Sequence, residues 1–197
     1  MKRIEAALRR IISDLREFGY SFALLGGFAV SARTEPRTTR DVDVAVLVSD
    51  DSGAQRLAFQ LSQRGYSLDA TIEQERTGRL ATIRTTSPTG TVVDLLFASS
   101  GVEAELISAA TTLEILDGLR VPVATIGHLI ATKVLSRDDR NRPQDRLDLH
   151  ALFRAASDAD LETARHSLQL VQSRGYHRGR ALLADLDRAH RELAPER

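Results

Sequence analysis

Apolar residues near the start of the chain fall at Ile4, Ala7, Leu8, Ile11, Ile12, Leu15 and Phe18, the three- and four-residue spacing of a one-sided helix. Gly19 stands where a C-terminal cap belongs, so the first element is predicted as a helix over about residues 2–18. Phe22 to Leu25 is a short apolar strand that runs into Gly26-Gly27, and Phe28 to Arg33 reads as a short helix. The polar stretch from Thr34 to Arg40 contains Pro36 and is a loop. Val42, Val44, Val46 and Val48 then alternate with Asp41, Asp43, Ala45 and Leu47, a period of two that makes a strand with one strongly apolar face.

Beyond it, about residues 53–64 are predicted as a helix, and segments near 67–72, 79–84 and 91–97 as strands, the last two joined through Ser87-Pro-Thr-Gly90. A helix near 101–109 and a hairpin turning at Asp117-Gly118 follow. From Thr125 the pattern is helical, with helices near 125–136, 144–155, 159–173 and 177–192 and caps at Ser157 and Gly175. The architecture expected is α+β, a mixed β-sheet flanked by helices over residues 1–122 and an α-helical part over 123–197.

Composition narrows the class without naming a reaction. A chain of 197 residues with 42% hydrophobic and 27% charged residues is of ordinary globular make-up. No run approaches the roughly 18 apolar residues of a membrane span, and the charged N-terminal helix is unlike a signal peptide, so no membrane partner and a cytoplasmic location are expected. The absence of cysteine excludes disulfides and thiolate metal sites. Net charge is zero, but Arg33, Arg37 and Arg40 precede one acidic pair, while Arg137, Arg140, Arg142 and Arg146 surround a later loop. Brought together they would make a basic rim suited to phosphates; left apart they are solvated loop arginines. Lys2 and Lys133 are the sole lysines, so Lys133 hints at a place for a compact ammonium.

The chemistry centres on three acids. Asp41 and Asp43 are two apart on a strand and project from one face. Carboxylates that close repel unless a cation lies between them, and Mg²⁺ takes a few carboxylates together with substrate phosphates. An isolated Asp-x-Asp is more often a pair of solvent-facing acids. Asp94 changes that balance, because it interrupts the apolar run Val92-Val-Asp-Leu-Leu-Phe97, where an unpaired carboxylate is costly. If its strand neighbours that of Asp41 and Asp43, a three-acid site for two metal ions results; otherwise Asp94 is an edge-strand acid facing water. Gly26-Gly27, between strand and helix, allows close backbone approach to a ligand and exposes helix N–H groups to phosphate, or is simply a tight turn.

The order Leu25-Gly-Gly27, Asp41-Val-Asp43 and Asp94 resembles the nucleotidyltransferase superfamily that includes DNA polymerase beta. Arg37-x-Thr39-x-Asp41-x-Asp43 looks most like its AbiEii-type branch, the toxins of type IV toxin–antitoxin systems, including the MenT toxins of mycobacteria. Lys133, then Arg140 and Arg142, then Asp145-Arg-Leu-Asp148-Leu149 support that branch, with the similarity covering about residues 20–155. The resemblance implies metal binding by Asp41 and Asp43, with Asp94 a less dependable third acid. It implies triphosphate binding by Gly26, Gly27, Arg37 and Thr39, with Arg40 beside them, and completion of the site by Lys133 and Asp148 or Asp145.

It further implies Mg²⁺, an NTP substrate, a tRNA 3′ end as acceptor, and a cognate antitoxin that in some relatives phosphorylates the hydroxyl at the position of Thr39. Alternatives are a small-molecule nucleotidyltransferase of the aminoglycoside-modifying kind and a catalytically silent nucleotide-binding interaction module. His128, His150, His166, His177 and His190 lie on predicted helices without metal-ligand spacing and receive no role.

Overall fold

The computed structural model of the protein describes residues 2–138 and 143–194. Helix α1 (Lys2–Glu17) buries Ala7, Leu8, Ile11, Ile12 and Leu15, the stripe its spacing demands. Strand β1 (Phe22–Leu24) leads directly into α2 (Gly26–Arg33), and β2 (Asp41–Val46) follows. Val42, Val44 and Val46 are fully buried on one face of β2, whereas Asp41 and Asp43 are half-buried on the other. Helix α3 (Asp51–Gln63) starts where the Asp50 side chain accepts the Gly53 N–H at 2.9 Å. Strands β3 (Ser67–Glu73), β4 (Leu80–Thr86) and β5 (Val92–Leu96), helix α4 (Glu103–Ser108), and strands β6 (Thr111–Leu116) and β7 (Leu119–Val123) complete the mixed part.

These strands form one sheet in the order β3-β4-β5-β2-β1-β7-β6. Pairs β2–β5 and β1–β7 are parallel, and the remaining neighbours run antiparallel. Strand β5 is therefore interior, between β4 and β2, rather than an edge. The register sets Asp43 beside Asp94 and Asp94 beside Arg84. Directly paired residues point to the same face, so three adjacent strands carry a row of charged side chains.

Helices α5 (Ile126–Ser136), α6 (Pro143–Ala155), α7 (Asp158–Ser173) and α8 (Leu182–Leu193) follow. Ser157 and Asp160 form a reciprocal capping box at the start of α7. Helix α5 packs on α6, α7 and α8, and both α5 and α6 contact α2. A methyl group on Gly127 would sit 2.5 Å from the Asp160 carbonyl, so the bare glycine permits the close α5–α7 approach. Buried apolar residues form one cluster running from Leu8 in α1 to Leu193 in α8.

The observed architecture is the α+β sheet with C-terminal helices that the pattern predicts. Helix α8 starts at Leu182 rather than near residue 177. Arg178 has φ 52°, outside helical geometry, and Arg180 ties the preceding segment to the Leu135 carbonyl at 2.9 Å and to Asp185 at 3.0 Å. His177 therefore lies off a helix, whereas the other four histidines lie on helices. Among the described residues no helix is long and apolar enough to cross a membrane.

Candidate active site

The acidic row is brought together by β2 and β5. One oxygen from each of Asp41, Asp43 and Asp94 lies within 4.8 Å of the other two, and among the described residues this is the group able to hold a metal ion. Both Asp94 oxygens face Arg84 from the next strand, with Nε donating to Oδ1 at 2.8 Å and Nη2 to Oδ2 at 2.7 Å. The hydrogen bonds and attraction of Asp94, followed by the attraction of Asp41 and Asp43, hold the Arg84 guanidinium well above its ordinary pKa. Nothing in the one-dimensional pattern singles out Arg84, because its significance comes from strand register.

The glycine pair closes over this row. Leu25 donates its backbone N–H to the Asp43 carbonyl at 2.9 Å, which brings the start of α2 against β2. Gly26 has φ +57°, and a Cβ there would sit 1.7 Å from Asp43 Oδ2. A Cβ on Gly27 would sit 2.5 Å from Thr39 Oγ1 and 3.0 Å from Arg37 Nη2. Leu25 makes no side-chain cap at the start of α2, and the N–H groups of a helix's first turn favour an anionic acceptor. Thr39 donates to Asp41 Oδ1 at 3.2 Å, and the hydroxyl and first acid thus share one side of the chain.

A second cluster joins the sheet to the helical part. Arg37 Nη2 donates to Asp148 Oδ2 at 2.8 Å. Its Nε lies 2.7 Å from Oδ1 as an ion pair, but without hydrogen-bond alignment. Lys133 Nζ lies 2.6 Å from Asp145 Oδ1 and 2.8 Å from Asp148 Oδ2. Ser136 donates to Asp145 at 3.0 Å, and Gln144 to Asp148 at 3.2 Å. Asp145 and Asp148 are buried, so these partners offset a large desolvation cost. The three-residue spacing on α6 lets both acids reach Lys133, so the two candidates for its partner both touch it. Ser136 and Gln144 are further members that only packing reveals.

The arginines divide. Arg37 lies beside Gly27 and pairs with Asp148, and Arg40 is exposed in the loop before Asp41. Arg33, expected in the same basic group, instead donates to the carbonyls of Ala124 at 2.9 Å and Val123 at 2.8 Å and to Thr111 at 2.7 Å. It fastens α2 to the end of β7, with burial lowering its pKa. Arg137 pairs with Glu192 at 3.0 Å, and both line a groove with Arg146, Arg180 and Arg188. Arg140 and Arg142 lie outside the described residues.

A sequence profile described as nucleotidyl transferase AbiEii toxin, type IV TA system, matches residues 6–197. The chain belongs to this family. Membership makes the reaction class of this AbiEii-family protein nucleotidyl transfer, with an NTP as substrate, and its role that of a toxin opposite an antitoxin. An antigenic nucleotidyltransferase-like protein from Paracoccidioides brasiliensis has a similar fold, with TM-score 0.54 at 18% identity over 95% of this chain and 93% of that one. The antibiotic-resistance factor ANT(2'')-Ia aligns with TM-score 0.47 at 16% identity, over 94% and 95% of the two chains. No curated protein sequence gives a significant match.

The acid row suits a hard divalent ion in donor type and spacing. Mg²⁺–oxygen contacts of about 2.1 Å put ligands of one ion about 3 to 4.2 Å apart, inside the 4.8 Å within which the three oxygens lie.

The buried Lys133 pairings set a stability test. Lys133→Met leaves Asp145 with Ser136 and Asp148 with Arg37 but removes the shared cation, and is expected to cost about 3 kcal/mol in urea unfolding. Adding Asp145→Asn should return roughly half of that loss. A neutral Lys133→Met would show that the cluster does not hold α5 to α6.

Proposed function

We propose that this AbiEii-family protein transfers a nucleoside monophosphate from an NTP to the 3′-terminal hydroxyl of tRNA, in a Mg²⁺-dependent reaction that blocks growth. The observation that carries the chemistry is the convergence of Asp41, Asp43 and Asp94 beneath the Gly26 turn. Family membership and the resemblance of the Arg37-to-Asp43 and Lys133-to-Asp148 stretches support tRNA as acceptor. The reading places the reaction in the cytoplasm, with a catalytic domain over residues 1–122 and a helical part over 123–197 completing the site.

In this reading Asp41 and Asp43 hold the ion that accompanies the NTP, and Asp94 offers a third carboxylate toward a second. Bound Mg²⁺ would supply activation of the acceptor oxygen and charge neutralisation on the leaving pyrophosphate. The N–H groups after Leu25 cradle the phosphates, and the bare Gly26 and Gly27 let them approach. Arg37, Thr39 and Arg40 line the approach to the acids. Lys133 places positive charge against the phosphates, where it favours the developing pyrophosphate. Asp145 and Asp148 position that ammonium, and Asp148 also positions Arg37. The acceptor hydroxyl gives up its proton to solvent, its oxygen forms a bond to the α-phosphorus, and the bond to the bridging oxygen breaks as pyrophosphate leaves.

Purified protein incubated with a tRNA pool, each α-labelled NTP and Mg²⁺ should label tRNA. EDTA should abolish the signal, and Asp41→Ala should lower it by at least about 100-fold. Absence of labelling above the Asp41→Ala background with every NTP would remove the tRNA reading. Drug resistance instead of growth arrest on expression would favour a small-molecule acceptor, and NTP binding without turnover would favour a silent module.

Thr39 is a control point in the same reading. Its hydroxyl touches Asp41, so a phosphate there adds roughly two negative charges beside the acid row and competes with the triphosphate. Thr39→Glu should abolish both labelling and growth arrest while Thr39→Ser keeps both. A fully active and toxic Thr39→Glu protein would refute this control.

A further inference from the structure

Arg84 adjoins the acid row, and the sequence motif does not single it out. It stands on β4, directly opposite Asp94 in the antiparallel register, and Asp94 is in turn beside Asp43. The guanidinium meets the carboxylate edge-on with two short hydrogen bonds, the bidentate geometry that is strongest for this pair. Asp94 is nearly buried, with 10% of its side chain exposed, whereas the Arg84 side chain is 48% exposed. The acid is thus fixed by the strand, and the arginine has solvent on its other side into which it can withdraw.

The charges explain why a cation stands there. Three carboxylates converge within 4.8 Å, and their mutual repulsion requires positive charge in the protein without nucleotide. Thr39 contributes a hydrogen bond to Asp41 but no charge. Arg84 contributes a full charge, and it also feels the attraction of Asp41 and Asp43.

We propose that Arg84 is a resident counter-cation that competes with divalent ions for Asp94, so that the nucleotide-free site binds ions weakly and the third carboxylate becomes available only when an ion arrives with the NTP. The proposal rests on the reading of the acid row as an ion site. Its functional consequence is ordering: the ion enters with the triphosphate instead of waiting in the site. A purely orienting Arg84, which holds Asp94 in the best position for an ion, predicts the opposite change on removal of the arginine.

The test is Mn²⁺ binding to nucleotide-free full-length protein, read from the electron paramagnetic resonance signal of free Mn²⁺ at low ionic strength. Arg84→Met should bind Mn²⁺ about tenfold more tightly than wild type, since one repelling charge has gone. Arg84→Gln should do the same, and Arg84→Lys should stay near wild type. Asp94→Asn in the Arg84→Met background should cancel the gain. Thermal unfolding of each variant establishes that it is folded, and the two neutral variants provide independent readings.

Equal or weaker Mn²⁺ binding in folded Arg84→Met and Arg84→Gln would overturn the proposal. The parent reading is tested separately by Mn²⁺ binding to wild type with a non-hydrolysable NTP. Loss of that binding in Asp41→Asn keeps the ion site even where the Arg84 proposal fails. Unchanged binding in Asp41→Asn removes both.

Discussion

Mutual repulsion among Asp41, Asp43 and Asp94 is the constraint around which this molecule is arranged. Two unit charges 4 Å apart repel by about 4 kcal/mol at the effective dielectric of a protein surface, a large fraction of the stability of an ordinary domain. The sheet nevertheless forces the three together, because the apolar faces of β2 and β5 must be buried and their parallel register sets Asp43 beside Asp94. Every neighbouring feature answers that strain. Arg84 takes both oxygens of Asp94, Thr39 donates to Asp41, and Gly26 lacks the methyl group that would strike Asp43. A row so strongly anionic suits a divalent ion that arrives already bound to a polyphosphate.

The helical part answers a second electrostatic problem. Asp145 and Asp148 are buried on α6, and each needs a cation. Lys133 serves both, and Arg37 reaches Asp148 from the loop before β2. One carboxylate thus connects the segment that carries the acid pair to the helices 111 positions later. The compact ammonium of Lys133 fits between two carboxylates three residues apart, which explains a lysine in a chain whose other bases are almost all arginine.

Much of this was legible from the residues in order. Alternation over Val42 to Val46 fixed which face of β2 carried the acids, and the apolar run around Asp94 marked an acid that required a reason. The element sequence followed from periodicity, caps and glycine turns. What lay beyond reach depended on register and packing. Arg84 looks like any strand arginine until β4 is paired with β5, and Arg33 looks like part of a phosphate rim until α2 is laid across the end of β7. The late start of α8 escaped for a similar reason, since the Arg180 contact with the Leu135 carbonyl joins residues 45 apart.

In the proposed reaction the acid row grips the ion of a bound nucleotide. A crystal grown with Mn²⁺ and a non-hydrolysable NTP tests it most directly, through the anomalous signal of the ion. A peak is expected about 2.1–2.2 Å from oxygens of both Asp41 and Asp43, with the triphosphate against the start of α2. A bound triphosphate whose ion lies away from those two carboxylates would contradict it.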